Sequence, residues 1–110
     1  MKRYYDRRLR EVGSSHVISI PTDLKSRVNT IVTQWINPQG NVEIALNQNG
    51  SRYSNGLIVS ASIFNQGGSK SMIIHPEILY MLNLKKNPIL RIWLNKNGNL
   101  ELKPRKTLES

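Results

Sequence analysis

The sequence contains no cysteine, which removes disulfides, thiolate nucleophiles and Cys-based zinc sites together. Acidic residues are scarce. Two Asp, five Glu and two His leave little for acid–base or metal chemistry, and no nucleophile–base pair stands out. No apolar run approaches the roughly 18 to 20 residues that span a bilayer. The charged start, Met1 to Arg8, leads into no apolar stretch of the secretory-signal kind. What remains is 110 residues at 38% hydrophobic, one domain's worth with a small core. These absences predict a cytoplasmic, non-enzymatic protein with no cofactor, no metal and no membrane association.

Positive charge is what the chain has in excess. Lys plus Arg number 16, and the net charge is +9. Residues 1–27 carry a net +4 (Lys2, Arg3, Arg7, Arg8, Arg10, Lys25 and Arg27 against Asp6, Glu11 and Asp23). Residues 28–69 sum to zero, and residues 70–106 carry +6. Clustered positive charge on a small domain is the footprint of a polyanion binder. A merely solubilising surface is the plain alternative.

The chain repeats itself. Gly13, Ser14, Ile18, Pro21 and Leu24 recur as Gly68, Ser69, Ile73, Pro76 and Leu79, all 55 residues on. The match resumes at an offset of 58, where Ile31, Trp35, Asn37, Gly40, Asn41 and Glu43 recur as Ile89, Trp93, Asn95, Gly98, Asn99 and Glu101. Eleven identities in 32 aligned positions compare with roughly two expected from average residue usage. The halves run 1–46 and 57–104, joined by a polar linker at 47–56 within one domain at 1–104, and a tail follows at 105–110.

Each copy predicts the same local order. A strand (Tyr4 to Val12; Leu57 to Gln66) precedes a Gly-Ser turn. A short β-rich run (Val17 to Ile20; Met72 to Ile74) then stops at a proline placed for a first helical turn. Leu24 and Val28 mark one short helix; Ile78, Leu79 and Leu82 mark the other. A β-hairpin follows in each half, with Asn-Gly in the second turn. The expected fold is mainly β with short helices (α+β), two halves packed about a pseudo-two-fold axis. The equivalent Trp35 and Trp93 are packing residues beside the hairpins rather than stacking platforms.

That order, with Gly13-Ser-Ser-His-Val-Ile-Ser-Ile-Pro21 as its carrying motif, resembles the AbrB/MazE/SpoVT swapped-hairpin family of bacterial DNA-binding domains. Leu82-Asn83-Leu84-Lys85-Lys86-Asn87-Pro88 is similar to the family's link into its hairpin. The resemblance covers nearly all of both halves and implies a swapped-hairpin barrel formed by two tandem repeats in one chain. Carried over by position, it implies DNA contacts from Arg7, Arg8 and Arg10, from Ser14, Ser15 and His16, from Ser69, Lys70 and Ser71, and from Lys25. Lys2 and Arg3 extend the basic arm, and Asn65 and Gln66 occupy the second copy's strand before the turn. The sequence departs from the antitoxin-type pattern two residues before the proline, where Ser19 and Ile74 replace an arginine.

The resulting expectation is a double-stranded DNA-binding protein, a small transcriptional regulator associated with the nucleoid. Unequal halves predict an asymmetric or imperfectly palindromic site. Alternatives are an antitoxin or an accessory nucleoprotein in plasmid or phage DNA processing. Pro104 to Ser110 is short for the toxin-wrapping segment of such antitoxins, so a toxin partner is not expected. Exposed hairpin edges could join two pseudo-dimers.

Overall fold

The computed structural model describes residues 3–23, 31–45, 58–66, 68–83 and 88–105. Nine strands and one helix follow in chain order: β1 (Tyr4–Arg8), β2 (Arg10–Val12), β3 (Ser15–Ser19), β4 (Ile31–Ile36), β5 (Val42–Ala45), β6 (Ile58–Gln66), β7 (Ser69–Ile74), α1 (Pro76–Leu82), β8 (Ile89–Leu94) and β9 (Leu100–Pro104). The helix expected over Leu24 and Val28, the linker at 47–56, Lys2, Lys25 and residues 106–110 lie outside the described residues. Thr22 and Asp23 adopt a 3₁₀ turn directly after Pro21.

All nine strands join one sheet in the order β1-β8-β9-β5-β4-β6-β7-β3-β2. The two terminal strands, β1 and β2, are separated in the chain only by Leu9. That residue is buried at 3% exposure and donates its N–H to the Pro88 carbonyl at 2.9 Å. One segment therefore bridges both ends of the sheet, which curls into a nearly closed barrel. The fold is mainly β with a single short helix among the described residues.

The pairings repeat between the halves. β1 pairs with β8 and β6 with β4, so each hairpin (β4–β5 or β8–β9) lies against the first strand of the other half. The halves also meet directly through β3–β7 and β5–β9. In the hairpins the equivalence runs at an offset of 58, as the identities predict: Trp35 faces Glu43 and Trp93 faces Glu101. In the first strands it runs at 54. Tyr4 opposes Trp93 as Ile58 opposes Trp35, and Val12 opposes Ser15 as Gln66 opposes Ser69. The sequence identities had set 55. Side chains in a strand alternate faces, so a one-residue slip would exchange inside for outside. At 54, the buried Leu9, Ile18 and Ile20 match the buried Ile63, Met72 and Ile74. The extra residue of the second copy is His75, inserted before Pro76.

The barrel interior holds Leu9, Ile18, Val32, Ile44, Met72, Leu90, Ile92 and Leu102 among others. Helix α1 caps it with Ile78 fully buried and with Leu79 and Leu82 packed against the core. Seven residues cannot hold a helix without such packing. His75 caps the start, its Nδ1 accepting the Glu77 N–H at 3.1 Å, with Pro76 in the first turn. One polar side chain enters the core. Gln34, fully buried, donates to the Ile73 carbonyl at 2.8 Å and accepts the His75 N–H at 3.1 Å, tying β4 to the start of α1.

Each hairpin turn closes three residues between a pair of asparagines. The Asn95 N–H bonds the Asn99 carbonyl at 2.8 Å, and the Gly98 N–H bonds the Asn95 carbonyl at 3.0 Å. Asn37, Gly40 and Asn41 repeat this geometry. The glycine takes the left-handed position, at φ 79° in Gly98 and 83° in Gly40, which is the three-residue loop with a glycine bulge. Outside the barrel wall Glu43 stands directly opposite Glu101. Two like charges facing across a strand pair repel. Here amides separate and satisfy them. Glu43 accepts from Asn37 at 3.1 Å and from Asn99 of the other hairpin at 2.7 Å. Glu101 accepts from Asn95 at 3.1 Å and from Asn41 of the other hairpin at 2.7 Å.

Candidate nucleic-acid interface

The strand running from Tyr4 to Val12 distributes the basic arm over two faces. Tyr5 and Arg7 point to the inner side. The Arg7 guanidinium lies 5.6 Å from the centre of the Tyr5 ring and donates to the Asp6 carbonyl at 2.9 Å. Tyr4, Asp6, Arg8 and Arg10 alternate to the outside. Arg3 pairs with Asp23 at 2.8 Å, and the Tyr5 hydroxyl donates to the same carboxylate at 2.9 Å. Arg7, Arg8 and Arg10 thus form no single cluster: Arg7 is drawn away from the other two.

The turn residues fall in two places. Ser14 is exposed, and Ser15 and His16 are half-buried beside α1. With Pro76, Leu79 and Tyr80 they line a cavity of about 380 Å³. At the other turn Ser69 and Asn65 are exposed and Lys70 is half-buried, with Asn65 opposite Lys70 and Gln66 opposite Ser69. The Gln66 side chain lies outside the described residues. Ser71 is only 1% exposed, and its hydroxyl accepts from Arg10 at 3.4 Å, so it positions that arginine instead of facing solvent.

Sheet pairing gathers further cations around Arg8. Arg8 opposes Ile89, and the Arg105 N–H bonds the Ile89 carbonyl at 2.8 Å, placing Arg8, Ile89 and Arg105 in one row across three strands. The next row is Asp6, Arg91 and Lys103. Asp6 bridges the two rows, accepting from Arg91 and from Arg105 at 3.1 Å each. Arg8, Arg91, Lys103 and Arg105 therefore form a basic wall with one carboxylate at its centre. The equivalent wall of the other half carries Ser60 and Ser62 on β6 with Thr33 and Ile31 on β4, and no charge.

Lys103 and Arg105 lie far from β1 in the chain, and nothing local in the sequence connects them with it. The β1–β8 pairing that joins them spans more than 80 residues of chain, and local patterns carry no trace of it. The Asn–Glu cluster has a sequence signal of its own: Asn37, Asn41 and Glu43 recur together as Asn95, Asn99 and Glu101, although asparagine at a hairpin is by itself an ordinary turn residue.

Electrostatics sharpen that unit. Burial pushes the Glu43 carboxyl up, and hydrogen bonds from Asn99, Asn95, Asn37 and Asn97 outweigh it and hold the group below its ordinary value. Glu43 is 4% exposed, yet it lies on the outer wall under the turns and not in the apolar core, so its desolvation is partial. The fold and this surface together define a small, nearly closed β-barrel with a cationic wall. No family model, curated protein or solved structure matches the chain. Among the described residues no helix is long and apolar enough to cross a membrane.

Proposed function

We propose that the chain is a double-stranded DNA-binding protein, a small regulator of the AbrB-like swapped-hairpin type whose two tandem halves play the part of a dimer. The observation that carries this reading is the exchange of partners between halves, each hairpin lying against the other half's first strand, combined with a net charge of +9. Phosphate contacts from Arg8 and Arg10 on the outer row supply affinity. Side chains at the two turns, Ser14, Ser15 and His16 with Asn65, Ser69 and Lys70, supply base readout. The unequal charge of the two equivalent walls, Asp6, Arg8 and Arg91 against Ser60, Ser62 and Thr33, favours an asymmetric site, since a palindrome needs two equal reading surfaces.

Fluorescence anisotropy on duplex DNA across a salt series tests this. Five phosphate contacts give a log–log slope near about −4.5. The Arg8→Ala/Arg10→Ala variant is expected to reduce that slope by roughly two contacts' worth. A slope near zero, or no binding to any duplex at low salt, removes the reading. Footprints of equal strength on both arms of a perfect inverted repeat would remove the asymmetric mode alone.

A further inference from the structure

The basic wall has an aromatic end. Beside Asp6, Arg91 and Lys103 lies the row Tyr4 and Trp93. The two rings meet edge to face, with centroids 5.6 Å apart and planes at 62°. Trp93 is the buried support, at 8% exposure, and Tyr4 stands above it at 51%. The Arg91 guanidinium sits 5.7 Å from the Tyr4 ring centre. Together with Asn41, Lys103 and Arg105 these side chains line an open cleft of about 570 Å³. Among the described residues Lys103 enters no ion pair.

None of this follows from the barrel itself. At the equivalent positions of the other half Tyr4 is Ile58, Asp6 is Ser60, Arg8 is Ser62, Arg91 is Thr33 and Lys103 is Ala45. That wall keeps the buried tryptophan, Trp35, but carries no exposed ring and no cation at these positions, so the geometry of the closed barrel does not call for them.

We propose that this cleft binds a nucleotide unit, base and phosphate together. The base stacks against the exposed pair made by the Tyr4 ring and the Arg91 guanidinium that lies over it, contacts that every base can make. The phosphate meets Lys103 and Arg105, which line the same cleft. Asp6 fixes both arginines through its 3.1 Å bonds and competes with an anion for them. The ligand chemistry has two sources, a free nucleotide or an unpaired strand. The cleft is separate from the turns assigned above to base readout in a duplex, and the inference does not rest on that reading.

Competition experiments with the full chain test it, using a fluorescent thymidine hexanucleotide as the probe at low salt. Tyr4→Leu is expected to weaken binding roughly five- to hundredfold, the range for losing one stacked base. Asp6→Asn is expected to tighten it about two- to fourfold, by removing one opposing charge. Ser62→Ala on the other wall is expected to leave it unchanged. Thermal melts of each variant separate lost binding from lost folding, and the tighter Asp6→Asn variant cannot be explained by unfolding. Thymidine monophosphate displacing the probe at the hexanucleotide's own concentration assigns a free nucleotide; displacement only at tenfold or more assigns a strand. Parent-like binding by Tyr4→Leu overturns the proposal. So does displacement by inorganic phosphate as effective as that by thymidine monophosphate, or no binding of any of these ligands. Duplex titrations run in parallel report on the regulator reading independently.

Discussion

Replacing Asn99 by alanine isolates the cost of the paired carboxylates. The Asn99 amide donates to Glu43 at 2.7 Å, from the opposite hairpin, in a site closed to solvent. Its backbone bonds with Asn95 are untouched by the substitution. The loss includes the hydrogen bond to the charged Glu43, about 1.5 to 3 kcal/mol, and leaves less mutual shielding of Glu43 from Glu101. At neutral pH we expect about 2 kcal/mol by urea unfolding, which for a domain of this size lowers Tm by roughly 8 to 16 °C. The pH dependence carries the sharper test. The folded Glu43 carboxyl lies below its ordinary value, so its contribution is complete above the unfolded pKa of about 4.3. It fades as pH falls through the folded value, where protonation removes the charge that the amides stabilise. The penalty for Asn99→Ala should therefore shrink below about 1 kcal/mol at strongly acidic pH. An equal penalty at both pH values would mean that packing, not a charged acceptor, accounts for it. A penalty under about 0.5 kcal/mol at neutral pH would refute the network altogether.

Other substitutions probe other joints. Asn41→Ala removes the counterpart bond to Glu101 and should cost a similar amount in the same unfolding assay, because the two bonds have equal length. Gln34→Leu leaves the His75 N–H and the Ile73 carbonyl without their partner; we expect a loss of about 1 to 3 kcal/mol and early hydrogen exchange at the start of α1. Gly98→Ala places a Cβ at φ 79° with open space around it, so only backbone strain is at stake: about 1 kcal/mol, read by thermal melting.

Much of the local structure was legible in the chain. Alternation of Leu90, Ile92 and Leu94 located β8 and its inward face, and Pro76 located the first turn of α1. The repeat in the hairpins was read in register because Trp, Asn, Gly and Glu each hold a geometric role there. In the first strands, identities at Gly13 and Pro21 outweighed burial and set the register one residue off. Only the cross-strand partners reveal that Ile18 opposes Met72. The candidate site was legible in part. The Arg7, Arg8 and Arg10 run is visible in the sequence, while the strand's two-residue period sends Arg7 to the inner side and burial removes Ser71 from the surface. Arg91 and Tyr4 entered only through pairing between distant segments.

The seam of the barrel sets an order on its construction. Tyr4 to Arg8 find their partners in Trp93 to Ile89, which leave the ribosome after everything between them. Strand β1 has β8 as its only strand partner, so it must wait with neither edge paired until that hairpin has been made. Such waiting edges invite association with other chains. Asp6, Arg7 and Arg8 put three charges into those five residues, and two of them, Asp6 and Arg8, lie on the face that meets water once the barrel closes. The same side chains can therefore protect the nascent strand first and build the cationic wall afterwards, so a variant that neutralises this strand should reduce the yield of folded protein before any ligand is added.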